Sequence, residues 1–187
     1  LNRYCSTFTM TCETLKHLRH LSRPGDYFVS LDLADGYYTL GIREEDRDFF
    51  TVNYRGTLWR LACLPMGWSG SAYYFCKLTQ VFTNHLRRPP QPVSTATPLH
   101  GRRPTKRFLR NARWRGIRLL PYMDDFLFLA DSYEDALLLR ERVQALLDSL
   151  GLERNPKKGV WTPTQVGDHL GLTAVSYTHL RAHETSL

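Results

Sequence analysis

The stretch Leu119-Leu120-Pro121-Tyr122-Met123-Asp124-Asp125-Phe126-Leu127-Phe128-Leu129 constrains this chain more than any other. Two adjacent carboxylates interrupt two apolar runs. Short apolar runs on either side of a polar pair read as a β-hairpin with the acids at its turn. Either the pair is a solvated turn, since Asp side chains bond nearby backbone N–H groups, or two strands present it to a divalent cation. Mg²⁺ favours one or two carboxylates plus substrate phosphates over an all-protein cage. The second reading therefore demands a carboxylate from elsewhere in the chain. Asp26-Tyr27-Phe28-Val29-Ser30-Leu31-Asp32-Leu33 supplies it. Alternation puts Val29, Leu31 and Leu33 on one strand face and Phe28, Ser30 and Asp32 on the other. An acid on so apolar a strand is costly to bury unless it is paired or bound to metal. Asp32 and Asp124 on adjacent strands would hold two Mg²⁺ ions, with Asp125 completing the cluster. Two metals ~3.5–4 Å apart clamp the attacking and leaving oxygens of a phosphoryl transfer.

Three segments stand in order: Leu31-Asp32-Leu33-Ala34-Asp35-Gly36-Tyr37, Leu64-Pro65-Met66-Gly67-Trp68-Ser69-Gly70-Ser71, and Tyr122-Met123-Asp124-Asp125. Gly151-Leu152 with Pro156-Lys157-Lys158, and then His169-Leu170-Gly171, follow them. The ordered set resembles the palm motifs of reverse transcriptases from retroviruses, pararetroviruses and retrotransposons, over about residues 1–174. The resemblance implies an α+β polymerase palm, an antiparallel sheet carrying the acids with helices behind it, fingers and thumb largely missing. It implies an RNA-directed DNA polymerase that adds dNTPs to a primer 3′ end on an RNA or DNA template. Its cofactor would be two Mg²⁺ ions, with Mn²⁺ as a substitute, and its setting intracellular (cytoplasm, virus-like particle or nucleus).

The same resemblance assigns roles. Asp32, Asp124 and Asp125 become the catalytic and metal-binding acids, and Lys158 the residue that protonates departing pyrophosphate. From sequence alone Lys158 reads equally well as a surface lysine. Asp35, Gly36, Tyr37, Met66 and Gly67 would line the nucleotide site, and Tyr122 and Met123 would touch nucleic acid. Tyr37 would be an aromatic gate that collides with a 2′-OH; the alternative is a core aromatic. Gly67 would let the backbone approach a nucleotide closely, although an ordinary loop–helix junction would look the same. Met66 stands where retroviral relatives carry Gln, and retrotransposon relatives also place an apolar residue there. Two other readings stay open: an RNA-dependent RNA polymerase, against which Tyr37 argues, and a non-catalytic nucleic-acid-binding remnant, against which the three intact acids argue.

Charge distribution bears on the partner. The net charge is +7 over 187 residues, which points to a polyanion. Ten of the 25 Lys and Arg fall between Arg87 and Arg118, a span without Asp or Glu, leaving 15 basic against 18 acidic residues elsewhere. This 87–118 segment reads as a basic insertion. Its second half, holding Arg107, Arg110, Arg113 and Arg115 among aromatics, reads as helical and suited to template or primer phosphates; the alternative is a solvated insertion. Cys5, Cys12, Cys63 and Cys76 lack zinc-type spacing and read as free thiols. No apolar stretch is long enough to span a membrane. The sequence is silent on oligomeric state.

Local patterns fill in the rest. Thr14 to Leu21 reads as a short helix, stopped by Pro24-Gly25. His17 and His20 on it have metal-compatible spacing but no third ligand, and read as surface or satisfied histidines. Arg43 to Asp48 reads as a solvated loop, and Phe49–Leu61 as a hairpin about Arg55-Gly56. Ser69 or Ser71 would cap a helix whose core stripe is Phe75, Leu78, Phe82 and Leu86. Ser132 with Asp135 forms a capping signature for a helix ending at Gly151. The opening Leu1-Asn2-Arg3-Tyr4 is abrupt, so the chain reads as a fragment lacking upstream fingers. Residues 175–187 read as a translated sequencing adapter and not as native protein.

Overall fold

The computed structural model describes residues 2–88, 116–176 and 183–184, with no side-chain account of residues 172, 183 and 184. The basic residues Arg107, Arg110, Arg113 and Arg115, and the helix expected around them, lie outside the described residues, as does most of the expected non-native tail.

The core is a three-stranded antiparallel sheet in the order β1-β5-β4, formed by β1 (Tyr27–Asp32), β4 (Arg118–Tyr122) and β5 (Asp125–Ala130). Its strands are buried on both faces, which explains their near-continuous apolar sequence. On one face Val29, Leu31, Leu119, Phe126 and Phe128 join a cluster with Phe75, Phe82 and Leu86 of α2 (Ser69–Arg87) and Leu139, Val143 and Leu147 of α3 (Tyr133–Leu150). Phe126 and Phe128 are 0% exposed, and each such ring contributes roughly 1.5–3 kcal/mol on burial. On the other face Phe28, Leu120, Leu127 and Leu129 meet Leu18 of α1 (Leu15–Leu21) and Ala174 of β7 (Leu172–Val175). β6 (Val166–His169) and β8 (His183–Glu184) pair on either side of β7. β2 (Thr51–Tyr54) and β3 (Thr57–Arg60) form a separate, exposed hairpin with Arg55-Gly56 at its turn, as its sequence predicts.

The caps show which local rules held. The side chain of Ser132 accepts from Asp135 N at 3.1 Å, and Gly151, at φ +65°, closes the far end of α3 with Leu152 N donating to Leu147 O at 3.0 Å. His17 Nδ1 lies 3.1 Å from Thr14 N at the start of α1, so this histidine is satisfied by its own helix. Two expectations change. Residues Glu44–Phe50 form a 3₁₀ helix where a solvated loop was expected, with Arg47 Nε donating back to Ile42 O at 3.1 Å. α2 starts at Ser69, one residue earlier than a Ser69 cap and three earlier than a Ser71 cap would allow, with Trp68 at the N-cap position. The capping group comes from far away: Asn2 Oδ1 accepts from Ser69 N at 3.0 Å, and its amide donates to Gly67 O at 2.9 Å. Ser71 instead donates its hydroxyl to Pro65 O at 2.6 Å and fixes the loop before the helix.

Buried ions anchor the sheet's far end. Arg118 donates to both oxygens of Asp26 at 2.6 and 2.7 Å and to Asp131 at 2.7 Å, with Asp26 and Asp131 almost fully buried. Nearby, Val175 and Ser176 belong to the packed fold: Ser176 is 3% exposed and Gly25 N donates to its carbonyl at 2.8 Å. Between α2 and β4, Ile117 N donates to Leu86 O at 3.1 Å, and a Cβ on Gly116 would run into the backbone of Arg87.

Candidate active site

The acids meet at one end of the central sheet. In the β1–β5 register Asp32 stands directly opposite Asp125, and in the β4–β5 register Tyr122 stands opposite Asp125. That leaves Met123-Asp124 as a two-residue turn. Met123 has φ +54°, a left-handed value that favours glycine and costs a non-glycine residue of order 1–3 kcal/mol. Leu33 N donates to Asp124 O at 2.9 Å, which ties the turn to the end of β1. Like charges directly opposite on a sheet repel. Accordingly the Asp125 carboxyl is pushed up to about 6, first by burial, then by the charges of Asp124 and Asp32, with Lys158 opposing. Asp32 is the most buried of the three, at 4% exposed.

Lys158 arrives along the outer edge of β1. This edge is closed by an irregular segment: Ala34 N donates to Glu153 O, Asn155 N to Asp32 O, Ser30 N to Val160 O and Phe28 N to Thr164 O, all at 2.7–2.9 Å. The Ser30 hydroxyl also accepts from Val160 N at 2.7 Å. Gly159, at φ +74°, lies so close that a Cβ there would sit 2.7 Å from Ser30 O and 2.9 Å from Leu31 Cα. This close approach sets Lys158 Nζ 3.2 Å from Asp32 Oδ2. The carboxylate in turn raises the pKa of Lys158, so its exposed ammonium holds its proton.

The remaining predicted residues divide. Tyr37, on a 3₁₀ turn at Gly36–Thr39, packs edge-to-face on Phe75 with centroids 5.5 Å apart. The half-buried ring packs against the core, and its hydroxyl titrates above the ordinary tyrosine range, first through burial and then through the charge of Asp124. Asp35, at φ +60°, and Gly36 form the turn below it, with Tyr38 N donating to Asp35 O at 2.8 Å. Met66 is 70% exposed, and Gly67 is exposed at φ +86° on the loop before α2. Met123 lines a cavity between α2 and the turn, and Tyr122 is exposed beside it. His169 of the last motif is buried, its ring pushed down to about 4 by burial, and its Nε2 has no hydrogen-bond partner among the described residues. Sequence reasoning gave no role to Gly159, Ser30 or Asn155, which place Lys158; the glycine next to the lysine was the available signal.

Asp32, Asp124 and Asp125 thus share one sheet end, with the Lys158 ammonium against Asp32. Among the described residues no group of three or more His, Cys, Asp and Glu side chains is drawn together into a ready-made metal site.

A family model described as "Reverse transcriptase (RNA-dependent DNA polymerase)" matches residues 3–174. Among solved structures, a foamy viral protease-reverse transcriptase in complex with double-stranded DNA is similar over 99% of this chain and 27% of its own, at 18% identity and a TM-score of 0.72. A foamy viral protease-reverse transcriptase in complex with an RNA/DNA hybrid is similar over 89% of this chain and 18% of its own, at 17% identity and a TM-score of 0.65. The chain thus spans about a quarter or less of these relatives. No curated protein sequence matches it. No helix among the described residues is long and apolar enough to cross a membrane.

Proposed function

Since the chain belongs to the reverse transcriptase family, we propose that it is the catalytic palm of an RNA-directed DNA polymerase that extends a primer on an RNA or DNA template with dNTPs. The single observation that carries this reading is the meeting of Asp32, Asp124 and Asp125 at one sheet end, beside Lys158. Asp32 and Asp124, with Asp125 beside them, would hold two Mg²⁺ ions. Those ions would supply charge neutralisation and activation of the primer 3′-hydroxyl.

The chain's own residues do the positioning. The strained Met123 turn, tied to Leu33, fixes Asp124 relative to Asp32. Tyr37, held by Phe75, would exclude a 2′-hydroxyl and select deoxynucleotides. Asp35, Gly36, Met66 and Gly67 would frame the triphosphate, and Tyr122 and Met123 the primer end. Lys158 holds a proton at Nζ and would deliver it to departing pyrophosphate. The foamy viral proteins solved with an RNA/DNA hybrid and with double-stranded DNA support template–primer as the partner. Arg107, Arg110, Arg113 and Arg115 would add salt-dependent phosphate contacts. This reading places the protein in an intracellular compartment.

The test is primer extension on an RNA template, with Mg²⁺ and either dNTPs or rNTPs, using the natural reading frame that contains these residues. Extension with dNTPs is expected. Asp124→Asn should lower it by at least ~100-fold, because several kcal/mol of transition-state charge stabilisation would be lost. Wild-type rates from that variant would refute the assignment. Preference for rNTPs would favour an RNA polymerase instead.

A further inference from the structure

Beneath the Met123 turn lies a second chemical cluster, built of sulfur. Cys12 on the extended segment before α1 and Cys76 on α2 line one cavity of about 270 Å³, together with Thr79, Thr83, Arg87 and Met123. The two cysteines neighbour each other across it. Two flanking contacts hold Cys12 there. Met10 Sδ is 3.8 Å from Cys76 Sγ, and Glu13 makes a two-point ion pair with Arg87 at 2.6 and 2.7 Å. Cys76 and Arg87 are eleven residues apart on α2, three turns of one helix face. The segment carrying Cys12 is therefore laid along that face and pinned on both sides of the cysteine.

We propose that Cys12 and Cys76 form a dithiol that low-molecular-weight disulfides convert to an intramolecular disulfide in the folded protein. The Cys12 thiolate attacks one sulfur of oxidised glutathione, that S–S bond breaks, and one glutathione thiolate leaves. Cys76 then gives its proton to solvent base, attacks the Cys12 sulfur and expels the second glutathione. Two protein thiols are oxidised, and one glutathione disulfide is reduced to two thiols. The order follows from the surroundings. Cys76 is buried, and its thiol is pushed up to about 11, first by burial and then by Cys12. Cys12 is the more accessible partner, and capping it removes its own contribution to the reluctance of Cys76 to ionise. None of the three acids lines this cavity, and the proposal does not depend on the polymerase reading.

The experiment treats the whole chain with oxidised glutathione at about pH 8, with and without urea, and reads the linkages by peptide mass spectrometry. In the native protein the Cys12–Cys76 link should dominate. Cys5 and Cys63 should remain thiols or carry glutathione. Cys76→Ser should trap glutathione on Cys12. In urea, loop closure favours Cys5–Cys12, seven residues apart, over Cys12–Cys76, 64 apart, by roughly 10–30-fold, so the pairing should invert. Native protein that carries glutathione on Cys12 without the link, or that links no better than in urea, would overturn the proposal.

Discussion

Gly159→Ala tests how Lys158 reaches the acids. The new methyl would lie 2.7 Å from Ser30 O and 2.9 Å from Leu31 Cα, on a residue held at φ +74°. An L-residue in the left-handed region costs about 1–2 kcal/mol, and forcing an extra carbon into a packed contact costs about 1–3 kcal/mol. If the segment retreats instead, it gives up the two bonds between Ser30 and Val160, each worth about 1 kcal/mol net, and carries Lys158 off Asp32. Either route predicts a loss of about 2–5 kcal/mol, a fall in melting temperature of about 5–15 °C for a chain of this size. Gly25→Ala isolates the steric part, because Gly25 shares a left-handed φ of +82° with nothing within 4 Å of its added carbon. Its cost should be the conformational ~1–2 kcal/mol alone. Urea and thermal melts of both variants decide the matter. Equal losses, within about 0.5 kcal/mol, would mean that the close approach over β1 is not what places Lys158.

Three other expectations concern the same architecture. Asp125 binds its proton more tightly in the folded chain, near 6, than at its ordinary 3.8, so its contribution to stability is full below about pH 4 and lost as pH rises through about 6. Asp125→Asn should flatten that window, and Mg²⁺ should pull the carboxyl's NMR titration midpoint down; a midpoint indifferent to Mg²⁺ would mean that the side chain does not face the cation. Tyr37→Val should raise the ratio of rNTP to dNTP incorporation, measured as kcat/KM, by at least about tenfold, and an unchanged ratio would leave Tyr37 a core residue only. Arg118→Ala removes the two-point ion pair from buried Asp26 and one of the partners of Asp131, which keeps Arg23, and should destabilise by about 3–5 kcal/mol in urea, whereas a loss below about 1 kcal/mol would show that water reaches the pair.

The sheet and its acids were legible because they are encoded locally. The β4–β5 hairpin carries its own turn, and alternation along β1 gave the correct faces for Val29, Leu31 and Phe28. The Phe75–Leu86 stripe and the Ser132 and Gly151 caps were legible for the same reason. What escaped acts across long sequence separations. Asn2 caps α2 from 67 residues away, so no local rule could prefer Trp68 to Ser69 or Ser71 as the first position. Lys158 meets Asp32 across 126 residues, which sequence reduced to a choice between surface lysine and proton donor. The 3₁₀ turn at Glu44–Phe50 escaped because its mixed charges have no apolar period to read.

The bond from Ile117 N to Leu86 O bears on where the register of the sheet begins. It ties together the two ends of the stretch between α2 and β4, and Gly116 against Arg87 keeps that junction tight. The tie therefore sets one fixed point for where the chain leaves α2 and where it enters β4, and the register that puts Asp32 opposite Asp125 starts from that point.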